Sequence, residues 1–387
     1  MIVLYFLACL TLLQGIATLI DGRRAARYMK TTVPPQAAGV LRTAVFCPCK
    51  GVDHEFEQNV RSILDQDALN LTVYFIVESD EDPAFPVLKK AGALHILVAG
   101  ASEDCGQKVH NLRFAVARVS QSADVYVFCD SDGRYPRNWV RTLTAGVGDN
   151  TICSGYRWYV AERLHFPTLL RSAWNATAVS LLGQHGRNFV WGGSTAIQRS
   201  TFERIGVLDA WRGCVSDDYA ITNAARRAAV RIAFVPACLI PSYGECSFVE
   251  LLEFTTRQII ITRVYQRKLW TVGLVAQSLF NLTFLSLLAF GFVTGSRPAL
   301  QVMWLALYGL SAARSGNRLF AVRTVLRDPS LWRFAWFYIL SSPFVALLYQ
   351  YNMVLSAFTS DIQWRQIHYK LISPNETRVH RLSVGGS

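Results

Sequence analysis

Two carboxylates one residue apart, Asp130 and Asp132, follow the apolar run Tyr126-Val127-Phe128-Cys129. An α/β sheet presents its ligand-binding groups at the carboxyl ends of its strands, and acidic residues placed there face a bound substrate. Their hard oxygens suit Mg2+ or Mn2+, an ion that such sites share with substrate phosphates. The same spacing also occurs in a plain turn at a strand end. A second pair, Asp217-Asp218, stands later in the chain, and Glu78-Ser79-Asp80-Glu81-Asp82 closes another apolar run, Leu71 to Val77. Three acidic ends in one α/β region point to a nucleoside-diphosphate site with a separate base. Asp217 and Asp218 open a helix that runs to about Arg227, where the helix dipole favours ionised carboxylates. Capping accounts for one of them but not for both.

The elements that must hold these groups alternate. Leu41 to Cys47 reads as a strand, Glu55 to Asp67 as a helix with Phe56, Val60, Ile63 and Leu64 on one face, and Leu71 to Val77 as a strand. Phe85 to Ala91 is a short helix, His95 to Val98 a strand, Lys108 to Val119 a helix and Val125 to Cys129 the central strand. This β-α-β-α-β order predicts an α/β fold with a mostly parallel, doubly wound sheet. Thr151 to Val160 reads as a strand pair or a strand with a bend, and Phe166 to Leu182 as an apolar helix. Trp191-Gly192-Gly193-Ser194 is a tight glycine turn, either an ordinary β-turn or a place where backbone approaches a ligand. Arg231 to Pro236 is a strand and Phe248 to Tyr265 a helix.

The chain has 387 residues, 51% hydrophobic and only 17% charged, with a net charge of +12. So apolar a composition fits a catalytic domain joined to membrane helices rather than an ordinary soluble enzyme. Ile2 to Ile20 carries no charge and is long enough to span a bilayer. The cluster Arg23, Arg24, Arg27 and Lys30 follows it, the reverse of a cleavable signal, and places the following chain in the cytoplasm. Leu269 to Val293 is a second span. Pro298 to Ala313 is short for a span and precedes a basic loop with Arg314, Arg318, Arg323 and Arg327. Leu331 to Phe358 is apolar again, interrupted by Ser341-Ser342-Pro343.

The expected organisation is therefore an anchor over 1–22, a cytoplasmic catalytic domain over 40–268, transmembrane helices over 269–358 and a basic tail over 359–387, with a linker over 31–39. The tail's Arg365, Lys370, Arg378 and Arg381 favour an inside end. A multi-pass protein of a bacterial inner membrane results. Basic charge alone also fits nucleic acid, but no basic helix or aromatic-basic RNA motif accompanies it, and nucleic acid is not expected as a partner. Nine cysteines include no CxxC pair. Cys47-Pro48-Cys49 reads as small apolar residues at a strand end in a reducing compartment, with metal ligation as the alternative. The seven histidines lack metal-ligand spacing, so no zinc site is expected.

Six stretches, in order, resemble the membrane glycosyltransferases of the family 2/21 type, the ceramide glucosyltransferase family. They are Lys50-Gly51-Val52-Asp53, Glu78 through Asp82-Pro83-Ala84, Lys108 with Asn111-Leu112, Cys129-Asp130-Ser131, Asp217-Asp218-Tyr219, and Trp364-Arg365 with Tyr369. The likeness spans nearly the whole chain. One departure stands out: where that family has Arg/Gln-x-x-Arg-Trp, Arg257 matches the first position, but Ile260-Ile261 replace Arg-Trp and Arg263 lies two residues on.

The resemblance implies a GT-A fold with an N-terminal transmembrane anchor and C-terminal transmembrane helices. It implies a metal-dependent, inverting hexosyltransferase that moves a sugar, glucose first, from a UDP-sugar to a membrane lipid such as ceramide. A hopanoid, a polyprenyl phosphate or diacylglycerol are the alternative acceptors, and a non-catalytic membrane scaffold is the alternative from another class. On this reading Asp130 and Asp132 hold the metal, Asp218 is the base and Asp217 orients it. Glu78, Asp82, Lys108, Asp130, Arg257 and Arg263 contact the nucleotide-sugar, and Trp364 and Arg365 close the site. Each has a plainer alternative: a solvated acidic loop for Glu78 and Asp82, a surface lysine for Lys108, and membrane-interface anchoring for Arg257, Arg263, Trp364 and Arg365.

Overall fold

The computed structural model describes residues 1–32, 41–119, 122–184, 186–293, 295 and 297–381. They form two compact units, each discontinuous in sequence. One gathers Thr32–Tyr159, Gln184–Gly244 and the tail from Ser360; the other gathers Met1–Thr31, Val160–Gly183 and Glu245–Thr359. This division cuts across the linear one. Residues 160–183 and 245–268 pack with the long helices, and the tail packs with the sheet. The expected linker lies, from residue 33 onward, outside the described residues, as does the end of the tail from residue 382.

The first unit is built on seven strands. The runs of β-branched and aromatic residues form β1 (Thr43–Pro48), β2 (Leu71–Val77), β3 (His95–Val98) and β4 (Val125–Cys129). Three parallel pairings join them in the order β3-β2-β1-β4. The helices Phe56–Leu64, Ala84–Lys90 and Gln107–Val119 make the crossovers that parallel pairing requires. Every residue of β4 is buried, as its unbroken apolar sequence predicts for a central strand covered on both faces.

Three further strands extend the sheet: β5 (Thr151–Tyr159), β6 (Ser194–Gln198) and β7 (Arg231–Ser242), in the order β4-β6-β5-β7. Strand β6, which the sequence reading did not anticipate, is antiparallel to both β4 and β5. The Thr151–Val160 region is one strand rather than a pair, and its bend is a register shift between Ser154 and Tyr156 against β7. At that shift Gly155 lies so close to β7 that a Cβ would meet the Cys238 carbonyl at 1.9 Å. The expected mostly parallel, doubly wound sheet is thus observed, with one antiparallel insertion beside its central strand.

The core under the sheet gathers Phe56, Val60, Ile63, Phe75, Val127 and Trp139. Trp139 keeps its buried indole N–H satisfied by donating to Ser194 Oγ at 2.8 Å. The tail folds into a three-stranded antiparallel sheet, β8 (Asp361–Trp364), β9 (Ile367–Ser373) and β10 (Glu376–Arg381).

The second unit is helical. Its main helices are Ile2–Thr31, Phe166–Val179, Phe248–Tyr265, Arg267–Leu288, Pro298–Val325 and Ser342–Phe358. Ile2–Thr31 and Arg267–Val293 are long and apolar enough to cross a membrane. Polar side chains bond across the packed helices: Thr255 and Thr256 both donate to Asn352 Oδ1, and Thr11 bonds Thr283.

The helix that holds the apolar Ile2 segment runs on through the basic cluster to Thr31. One expectation is corrected here. The "basic loop" after Ala313 is not a loop: Arg314, Arg318 and Arg323 continue the Pro298–Val325 helix. Arginine is a good helix former and no proline interrupts the run, so the charges change the face presented rather than end the element.

Candidate active site

Strand β4 ends at Cys129, and the chain turns out of the sheet with Asp130 and Asp132 at its carboxyl edge. The turn is fixed by Tyr135. Its hydroxyl accepts from the Asp130 N–H at 2.9 Å and donates to the Gly193 carbonyl at 2.8 Å. Strand β1, beside β4, leads into the Cys49-Lys50-Gly51 loop, and β2 ends at Val77, just before Glu78. The acidic ends after β2 and β4 therefore lie on the carboxyl side of the parallel strands, around the point where strand order reverses, and Asp217, at the start of its own helix, is brought to them by Lys108.

The structure brings together a cluster of three carboxylates and two cations. Lys108, on the crossover helix Gln107–Val119, bridges Asp130 at 2.8 Å and Asp217 at 3.1 Å. Arg157, on β5, holds Asp130 at 2.7 Å and takes Asp132 with both terminal nitrogens, at 2.7 and 2.9 Å. The Tyr159 hydroxyl, 2.7 Å away, and the rings of Tyr159 and Trp191, each 5.2 Å away, frame its guanidinium. Asp217 is buried, and its Oδ2 has no hydrogen-bond partner.

The Trp191-Gly192-Gly193 turn lies directly against this cluster. A Cβ on Gly192 would stand 2.0 Å from Asp217 Oδ2, and one on Gly193 would stand 2.6 Å from Asp130 Oδ2. Glycine is required here by close approach to the charged side chains of Asp217 and Asp130.

The electrostatics follow from burial and neighbours. Burial raises the Asp217 carboxyl, Asp218 and Asp130 add to the rise, and Lys108 opposes them, leaving it at about 6. Burial also pushes Asp132 up, with help from Asp130 and Asp53 against Arg157. Asp130 goes the other way: burial would raise it, but Lys108 and Arg157 together hold it below the usual carboxylate range. For Lys108, burial pulls down and is outweighed by Asp130, Asp217 and Asp218, so the ammonium is held more firmly than usual.

Asp218 sits differently. It is half-buried, and its Oδ1 accepts the Tyr219 N–H at 2.7 Å and the Ser216 hydroxyl. Ser216 is also the N-cap of the Asp217–Arg227 helix. Both bonds fall on Oδ1, so Oδ2 is left for a ligand, on a side chain held in one orientation.

Glu78 accepts from Lys50 and from Arg381 of β10. Asp82 shapes the neighbouring loop: its Oδ1 accepts from the N–H of Gly51 at 2.8 Å and of Ala84 at 2.9 Å. Arg365 pairs with Asp53 in the same β1 loop, and Tyr369 receives the Gln107 N–H at 3.2 Å. Trp364 ends β8 and is half-buried. The tail signature is thus seated on the loop after β1 and on the start of the Lys108 helix. Arg257 and Arg263 belong to the helical unit, where Arg257 lies over the Phe254 ring and Arg263 donates to the Thr359 carbonyl at 2.9 Å.

Sequence reasoning missed Arg157 and Tyr135. A single arginine among Tyr156, Trp158 and Tyr159 in an otherwise apolar strand was the available signal for the first. Tyr135 carried none, because its role depends on a turn that only the fold defines.

The donor set is consistent with a hard divalent cation. It is all oxygen, and the oxygens of Asp130 and Asp132 are engaged by Lys108 and Arg157, so a cation bound there would take the place of those two side chains. The one unsatisfied oxygen in the cluster is Asp217 Oδ2. Among the described residues no three metal-ligating side chains converge into a ready-made cage. Two carboxylates completed by substrate phosphates is the arrangement that Mg2+ and related ions take in nucleotide enzymes.

Among solved structures, a mannosyltransferase from Pyrobaculum calidifontis in complex with GDP-Man and Mn2+ is similar at 17% identity and a TM-score of 0.49. The match covers 92% of this chain and 97% of that one. Glucosyl-3-phosphoglycerate synthase from Mycobacterium tuberculosis, in complex with Mn2+ and UDP-Glc, is similar at 16% identity and a TM-score of 0.38, over 58% of this chain and 79% of that one. No curated protein matches the sequence. The model of glycosyl transferase family 21 matches residues 3–377, through the first helix, all seven sheet strands and the start of the last tail strand, and the protein belongs to that family.

Proposed function

We propose that the protein is a membrane-bound inverting glycosyltransferase of the GT-A type that moves a sugar, glucose first, from a UDP-sugar to the hydroxyl of a membrane lipid, ceramide first. One observation carries this reading: the buried Asp130–Lys108–Asp217 and Asp130–Arg157–Asp132 cluster at the carboxyl edge of β4, in a chain of this family. The long apolar helices of the second unit support a lipid acceptor and a multi-pass protein, with the sheet unit in the cytoplasm of a bacterial cell.

The chemistry needs a stabilised leaving group and a base. Asp130 and Asp132 would hold Mg2+ or Mn2+, which supplies Lewis-acid neutralisation of the charge that develops on the departing diphosphate. Lys108 and Arg157 bring positive charge into the same pocket, pre-oriented by the carboxylates they bridge, and stabilise that diphosphate electrostatically. With Asp130 and Asp132 engaged by the metal, Arg157 would be released from them to donate to the diphosphate. Asp218 accepts the proton of the acceptor hydroxyl at Oδ2, while Tyr219 N–H and Ser216 fix Oδ1. Asp217 is too deeply buried to reach a bulky acceptor, and serves instead to hold Lys108. A single in-line displacement then needs no covalent enzyme intermediate. Glu78 and Asp82 border the loop we assign to the nucleoside. Arg257 and Arg263 remain candidates for diphosphate contact, and Trp364 and Arg365 for closure.

The test is a product assay. Purified protein in mixed micelles is offered UDP-glucose, UDP-galactose and UDP-N-acetylglucosamine against ceramide and diacylglycerol, and products are read by mass spectrometry. A hexosylceramide that disappears with EDTA and in Asp218→Asn is expected. UDP release without a lipid product sinks the acceptor, and absence of nucleotide binding sinks the whole reading.

A further inference from the structure

The helical unit carries sixteen Lys and Arg against six Asp and Glu, so most of the chain's positive excess is there. Part of it has visible partners. Arg24 pairs with Asp21, Arg163 with Glu245, and Arg323 and Arg333 lie over the rings of Trp332 and Phe334. Of the acids, Glu250 closes a capping box and Asp328 caps the helix at Ser330.

Arg314 and Arg318 are different. They lie one turn apart on the Pro298–Val325 helix and so share a face. Arg318 is only 8% exposed, yet it has no carboxylate partner. Its guanidinium makes two long bonds to hydroxyls, to Ser180 Oγ at 3.3 Å and Ser315 Oγ at 3.4 Å. The Arg314 Nε is buried with no acceptor at all, and the stem of this side chain is covered by Gly22 of the first helix. The Tyr349 hydroxyl is within electrostatic range of both, but is engaged with Thr177 and the Trp174 carbonyl. The end of the Phe166–Val179 helix, next to Ser180, offers roughly half a negative charge, too little to balance two guanidinium groups.

A buried cation without a counter-charge is expensive, and the expense is met when an anion from outside the chain enters. Two guanidinium groups one turn apart on one helix face can both donate to a single oxyanion, and a phosphate offers more acceptor oxygens and more charge than a carboxylate. We infer that Arg314 and Arg318, with Ser180 and Ser315, form a binding site inside the helical unit for a phosphate group, carried by a lipid headgroup or free. The site holds the ligand through Arg318's two terminal nitrogens and Arg314's Nε, and the two hydroxyls complete the donor set. It is a site apart from the carboxylate cluster and does not depend on the sugar-transfer reading.

The experiment uses the full chain, delipidated in a neutral detergent, and follows its thermal unfolding midpoint and the binding of added ligand. Dioleoylphosphatidylglycerol, dioleoylglycerol and inorganic phosphate are titrated separately. The phosphate-bearing lipid is expected to raise the midpoint of the wild type, and dioleoylglycerol to leave it unchanged. If inorganic phosphate alone gives the same rise, the site stands and its ligand is free phosphate. Arg314→Gln and Arg318→Gln should each weaken binding roughly tenfold or more, the loss of a charge-assisted bond. Arg333→Gln, an exposed arginine, should not. Equal shifts in all three variants mean adsorption to surface charge and overturn the site. So does a wild type that responds alike to the lipid with and without phosphate, a result that stands even if the glutamine variants do not fold. Arg318→Lys, which keeps the charge and loses the fork, should bind less tightly than the wild type.

Discussion

Buried charge is treated in opposite ways in the two units. In the sheet unit Lys108 and Arg157 are each shared between two carboxylates, at 2.7 to 3.1 Å. In the helical unit the buried Arg318 meets only two hydroxyls, and the buried Nε of Arg314 meets no acceptor. The first arrangement is a closed network whose members position one another, so a ligand must exchange with existing partners. The second lacks its counter-charge, so a ligand completes it. A nucleotide-sugar site needs the former, because its cations and carboxylates must be in place before the donor arrives. The same logic makes the two sites respond differently to mutation. Removing one member of the network strands the others, whereas removing one arginine of the pair reduces the charge that needs a partner.

The largest effect expected from the network side is on turnover. Asp218→Asn keeps the Oδ1 acceptor for Tyr219 N–H and Ser216 but cannot take a proton, so turnover should fall by about 10²–10⁴-fold. UDP-sugar affinity, measured by calorimetry, should stay near the wild-type value. A variant that turns over like the wild type would remove Asp218 from the base role.

The next effect is on stability. Lys108→Met leaves Asp130 and Asp217 facing each other in a buried site, and loss of one partner of a buried ion pair costs about 3–5 kcal/mol. The comparison between units is sharpened by the double change Lys108→Met with Asp217→Asn, which removes the stranded charge and should recover much of that loss in chemical denaturation. Arg318→Gln, by contrast, should cost little or raise the midpoint in lipid-free detergent. If Lys108→Met is as mild as Arg318→Gln, the network is not closed.

Gly192→Ala comes third. Its methyl would meet Asp217 Oδ2 at 2.0 Å and the Lys108 ammonium at 3.0 Å. Overpacking of this kind costs about 1–3 kcal/mol, and here it also pushes the two members of an ion pair apart. Activity should fall more than stability. Equal losses in both would mean that the turn is only a structural bend.

How much of this was legible in the sequence depends on the range of the signal. Strands β1 to β4 and their crossovers are local patterns, with apolar runs of strand length separated by helical spacing, and they were read correctly. Strand β6 was not, because Ser194-Thr195-Ala196-Ile197-Gln198 is short and becomes a strand through pairing with β4 and β5. The acidic ends were visible because carboxylates after an apolar run are a local signature. Their partner Arg157 was not: it reaches Asp130 from a strand two places away in the sheet, across β6. The run from Arg314 to Arg323 resembles a loop only because its charges interrupt the apolar pattern, while the backbone stays helical. Four-residue spacing on an unbroken helix was the better signal. The tail was read by composition as a basic extension, yet the alternating Ile367, Tyr369 and Leu371 are all buried, a strand pattern that the surrounding charges concealed.

The smallest effect is a pH dependence, and it bears on the nature of the network itself. Asp217 sits at about 6 in the folded protein, above its ordinary value of 3.8, chiefly through burial. Between those values the folded state binds a proton more tightly than the unfolded chain. The stabilisation from this group is therefore fully present below about pH 4 and is lost as pH rises through 6. Asp217→Asn cannot titrate, so the stability difference between wild type and variant should shift against the wild type from pH 4 to pH 7, by about 1.4 kcal/mol for each pH unit at most. Urea denaturation of both proteins at pH 4, 5, 6 and 7 reads it directly. A shift of the opposite sign would make Asp217 a carboxylate stabilised by its pairing with Lys108. The ion pair would then outweigh burial, and the network would be held together by its Lys108 bridge rather than merely tolerating a buried acid.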